Sequence, residues 1–76
     1  MSKKQFIELY LSAMLKAATG RRVYLSYANF DLAHEEIVRI EYKRDNGAAI
    51  CEIPVSKLEL LEIAVAVIEK VRGMQK

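Results

Sequence analysis

Residues 36–55 read EIVRIEYKRDNGAAICEIPV, and this stretch decides the fold. Val38, Ile40 and Tyr42 alternate with Ile37, Arg39, Glu41 and Lys43, the period of a strand from about Glu36 to Lys43 with one buried face. Asp45-Asn46-Gly47 follows, and Asn-Gly is the favoured central pair of a type I′ hairpin turn because both positions need positive φ. With Asn46 and Gly47 as the two-residue loop, Tyr42 faces Cys51, Ile40 faces Ile53 and Val38 faces Val55. Every inward pair is apolar, so turn chemistry and hydrophobic pattern support the same hairpin. The same register sets Glu41 against Glu52 on the outer face, a like-charge pair flanked by Arg39 and Lys43.

Upstream, Val23, Leu25 and Tyr27 alternate with Arg22, Tyr24 and Ser26, which predicts another half-buried strand. The connection over residues 28–35 leaves three readings open: a loop, a helical turn capped by Asn29, or an extension of the first strand. Both ends of the chain are helical in pattern. Ser2 and Gln5 have capping-box spacing, Gly20 sits where a helix-ending glycine belongs, and the apolar residues of 3–19 leave only a narrow polar strip of Glu8, Ser12, Lys16 and Thr19.

A C-terminal helix is predicted over 55–73. Ser56 and Glu59 have capping-box spacing, Val55 and Leu60 sit at hydrophobic-staple positions, Pro54 blocks an earlier start, and Arg72 with Gly73 supplies the stop. Its apolar residues span roughly 220° of the helix surface. The expected fold is α+β: helix, three-stranded antiparallel meander, helix (αβββα), with both helices on one face of the sheet and residues 1–76 forming a single domain. One sheet face cannot cover two such wide helical arcs.

The chain has 76 residues, and one this short buries only about 60% of the surface its unfolded form exposes, so small domains commonly recruit a further stabilising device. Cys51 is the only cysteine, which excludes an intrachain disulfide and suits a reducing cytoplasm. A hydrophobic content of 53% makes self-association the expected device. No apolar run approaches a membrane span. Lys3 and Lys4 before Phe6 to Leu15 imitate a signal peptide, but Glu8 and Tyr10 interrupt its apolar core.

Chemistry-bearing residues are sparse. Cys51 is expected in the core beside Tyr42, where a thiol is inert, and His34 lies on the undefined connection with no reason to approach it. Asp31, His34, Glu35 and Glu36 gather ligand atoms but match no established metal-site spacing, and Gly20, Gly47 and Gly73 are too isolated for a phosphate loop. The expectation is therefore a non-enzymatic protein-interaction or regulatory module without metal or cofactor. It would self-associate as a homodimer, or hold another protein, through apolar helix surface at Leu9, Met14, Ile63 and Val67. The alternative is a nucleic-acid-binding module in which Arg22, Arg39 and Lys43 follow phosphates while Tyr24 stacks on a base. The net charge of +2 favours neither reading, and Glu41 and Glu52 on the same face oppose phosphate.

Overall fold

A computed structural model describes residues 2–75. Its N-terminal helix is an unbroken helical run in three segments: α over Lys3–Gln5, π over Phe6–Leu11 and α over Ser12–Thr19. The predicted capping box is formed, with Gln5 N–H donating to Ser2 Oγ at 3.1 Å and Ser2 N–H donating to Gln5 Oε1 at 3.3 Å. Gly20 ends the helix at φ 69° and donates its N–H to the Lys16 carbonyl. That left-handed conformation is the reason glycine belongs there.

Strands β1 (Val23–Phe30), β2 (Glu35–Arg44) and β3 (Gly47–Pro54) form an antiparallel sheet in the order β1-β2-β3, and a C-terminal helix over Leu60–Met74 completes the chain. The expected αβββα order is present. Ile7, Leu11 and Leu15 of the first helix and Ile63, Val67 and Val71 of the last join Val23, Leu25, Val38, Ile40 and Tyr42 in one buried cluster. Since those strand residues share one sheet face, both helices lie on it.

The central hairpin departs from the predicted register in an informative way. Its turn residues are Asp45 and Asn46, with Arg44 opposite Gly47, so Tyr42 pairs with Ala49, Ile40 with Cys51 and Val38 with Ile53. Positive φ is confined among the described residues to Gly20, His34 and Gly47, so the turn is not type I′; Gly47 alone takes up the demand, at φ 138°. The pairing has slid two residues along β3, which leaves every side chain on its predicted face. The slide also removes the predicted clash, because Glu52 now faces Arg39 and Glu41 faces Ile50. An opposite-charge pair replaces a like-charge one, a preference of about 0.2–1 kcal/mol on an exposed sheet.

One open reading is resolved and one expectation is corrected. Residues 28–35 extend the first strand and then turn: β1 runs to Phe30, which pairs with Glu35, and a 3₁₀ turn at Asp31–Ala33 with His34 at φ 53° closes the hairpin. The C-terminal helix starts a turn later than predicted, capped by Glu59, whose N–H donates to Glu62 Oε1 at 3.0 Å. Ser56 has other work, accepting the Glu36 N–H at 2.8 Å beside the Val55 N–H to Glu36 carbonyl bond. It thus closes the β2–β3 ladder rather than capping a helix. Gly73 lies inside that helix, which continues to Met74, whose carbonyl accepts from Arg44 Nη2 at 2.5 Å.

Candidate protein interface

Two residues of the N-terminal helix's polar strip, Glu8 and Ser12, meet the sheet, while Lys16 is exposed and Thr19 Oγ1 donates back to the Leu15 carbonyl. Ser12 is buried and its Oγ donates to the Val23 carbonyl at 3.0 Å, while Glu8 Oε2 accepts the Tyr27 N–H at 2.9 Å. Both partners are outward-pointing backbone groups on the free edge of β1, which the helix therefore closes. With Glu8, Ser12 and part of its apolar arc turned inward, the helix exposes Leu9, Tyr10 and Met14, at 62%, 58% and 52% of their full accessibility.

The C-terminal helix supplies a matching feature. Leu61 is 77% exposed and Val65 49% exposed, and with Leu58, Ala66, Glu62 and Glu69 they line a shallow depression on its outer side. Ile63 and Val67, by contrast, are fully buried. Their expected place at an interface is therefore corrected: at the helical period they point at the sheet, and the available apolar residues are their neighbours Leu61 and Val65. Leu9 and Met14 are exposed. The signal for Leu61 and Val65 is the width of the apolar arc, but an arc wider than its sheet does not say which flank is left outside.

The outer sheet face carries the four residues of the nucleic-acid reading, and the sheet does bring them to one side. Arg22, Arg39 and Lys43 are exposed, and Tyr24 lies with Lys16 Nζ 5.1 Å from its ring centroid. The cations are interleaved with opposing charge. Lys43 Nζ lies 2.7 Å from Glu41 Oε2, holding that carboxyl below its ordinary range with a smaller contribution from Arg39, and Glu52 stands opposite Arg39. Arg21 at the margin pairs with Asp45 at 2.7 Å. A phosphate backbone meets alternating signs there rather than a basic track.

Neither chemical candidate is assembled. Cys51 lies on the inner face as expected, but it is half-buried opposite Ile40, while Tyr42 faces Ala49. Glu36 turns away from the β1–β2 hairpin tip, where Asp31, His34 and Glu35 are exposed: its Oε1 accepts from Tyr27 OH at 2.5 Å and from Lys3 Nζ at 3.0 Å. These bonds hold the Glu36 carboxyl below its usual range, Tyr27 contributing most. Burial, then the bond to Glu36, pushes the Tyr27 phenol up to about 12. Among the described residues no three of His, Cys, Asp and Glu converge on a metal-sized site, and no helix is long and apolar enough to cross a membrane. No protein-family model, curated protein or solved structure matches the chain.

Proposed function

We propose that this chain is a non-enzymatic protein-interaction module that self-associates through the exposed apolar surface of its helices, working in the reducing cytoplasm where the lone thiol of Cys51 is at ease. The observation that carries this reading is the orientation of the N-terminal helix. Its Glu8 and Ser12 are spent on the edge of β1, leaving Leu9, Tyr10 and Met14 outside while Leu61 and Val65 are exposed on the second helix. Exposed apolar side chains grouped on helix faces and rimmed by charge are the usual signature of a contact surface.

Light scattering at micromolar concentration tests the proposal. The wild-type chain is expected near twice the monomer mass and Val65→Lys near the monomer mass, with unchanged circular dichroism because Val65 packs no core. A wild-type chain that stays monomeric over that range overturns it. Ile63→Lys serves as the contrast: buried at the centre of the helix–sheet contact, it should unfold the domain rather than separate protomers.

A further inference from the structure

The two edges of the sheet are treated differently. Lys43 N–H donates to the Arg22 carbonyl and Val55 N–H to the Glu36 carbonyl, which fixes the alternation of the whole antiparallel ladder. On β1 the outward-pointing groups belong to Val23, Leu25, Tyr27 and Asn29, and the N-terminal helix meets two of them, the Val23 carbonyl and the Tyr27 N–H, through Ser12 and Glu8. On β3 they belong to Ala48, Ile50 and Glu52. Among the described residues the only group meeting any of them is the Cys51 thiol, at 3.8 Å from the Glu52 carbonyl. This edge also lacks the usual safeguards. β3 pairs without interruption from Gly47 to Pro54, carries no charge before Glu52, and has its one proline at its last residue.

The core is unfinished on the same side. The inward Val38, Ile40 and Tyr42 at the middle of β2 are buried, yet the inward Ala49, Cys51 and Ile53 of β3 are each only half-buried. A strand added to β3 would continue the sheet beneath them.

We propose that a second copy of this chain is that strand, paired antiparallel along β3 about a twofold axis at Ile50. Among centres at Ile50, Cys51 and Glu52, the sequence along the edge favours the first. Centred on Ile50, the two isoleucines meet on the outer face, Ala48 and Glu52 exchange backbone bonds, and about six inter-chain hydrogen bonds form. On the inner face Cys51 then faces Ala49 of the second copy, giving a continuous apolar row Leu25-Ile40-Cys51 running on into Ala49-Tyr42-Val23 of the other chain. A centre at Cys51 sets Ile50 against a carboxylate and Ala48 against Pro54, which has no N–H to give. A centre at Glu52 opposes two carboxylates. The seam shares no residue with the helix surface, so it goes beyond the proposed function and stands or falls separately.

The test uses the full chain with the helix contact disabled. Val65→Lys removes the helix contact; in that background sedimentation velocity at several hundred micromolar is expected to show a dimer, and adding Ile50→Lys to reduce it to monomer with circular dichroism unchanged. Ile50 is half exposed on the outer face, so the second substitution leaves the fold intact. Ala49→Cys checks the register: mild oxidation should join it to Cys51 of the other copy as a covalent dimer on a non-reducing gel, and Ile50→Lys should abolish that product. A Val65→Lys chain that is monomeric at every concentration overturns the seam and leaves the helix reading standing. Dimers insensitive to Ile50→Lys, or cross-linking of Ala49→Cys insensitive to it, also overturn the seam.

Discussion

Glu36 gathers more of this molecule than any other polar residue. Its carboxylate holds Tyr27 of β1 and Lys3 of the first helix, and its backbone holds Val55 and the Ser56 hydroxyl beyond β3. Tyr27→Phe keeps the ring and removes the hydrogen bond to a charged acceptor, so a loss of about 1–2 kcal/mol in denaturant-measured stability is expected. The pH dependence has a defined sign on each side. The Glu36 carboxyl is lowered on folding, so its contribution is complete above the ordinary carboxylate value of about 4.3 and is lost as pH falls through its lower folded value. Tyr27 is raised, so its contribution is complete below about pH 10 and is lost as pH rises through about 12. Thermal melts across pH should show both limbs in the wild type, and Tyr27→Phe should flatten the alkaline one. None of this cluster was legible in advance, because alternation places Tyr27 and Glu36 on strands without saying which carboxylate a phenol will meet 9 residues away.

At the scale of elements, local patterns were legible where one face of a strand or one turn of a helix decides the matter. The inward residues of β1 and β2, the Ser2–Gln5 capping box and the Gly20 stop are all present. Misreadings arose where one signal had two physical uses. Ser56-x-x-Glu59 has capping-box spacing, yet the hydroxyl of Ser56 is taken by a strand end and Glu59 caps the helix in its place. Asn46-Gly47 suits a type I′ turn, yet the turn slides back by one residue, which pairs Arg39 with Glu52 and costs no apolar burial. The narrow polar strip of the first helix is legible in the sequence, but periodicity does not say that its Glu8 and Ser12 meet a sheet edge. Their use is to satisfy the edge of β1, and Ser12→Ala should cost about 1 kcal/mol by leaving the Val23 carbonyl short of a buried donor. Urea titration of that variant, at an unchanged slope with denaturant, checks this.

For the whole molecule, the excess of apolar helix surface noticed in the sequence survives, but its location shifts. Ile63 and Val67 close the core, and the residues left over are Leu9, Tyr10 and Met14 on one helix and Leu61 and Val65 on the other. That shift was not legible from periodicity alone, since an arc wider than its sheet does not say which flank is left outside. The β3 edge is a separate surface, and two isologous contacts on one chain close as a tetramer if their axes meet or propagate as a chain if they do not. The measurement that bears most directly on the central claim is sedimentation velocity of wild type and Val65→Lys side by side, from low to high micromolar concentration. The wild-type sedimentation coefficient is expected to rise with concentration above the monomer value, with a clear drop in that association in Val65→Lys. A wild type that sediments as a monomer throughout, or a Val65→Lys chain indistinguishable from it in association, would contradict the claim that the helix surface is where this protein makes contact.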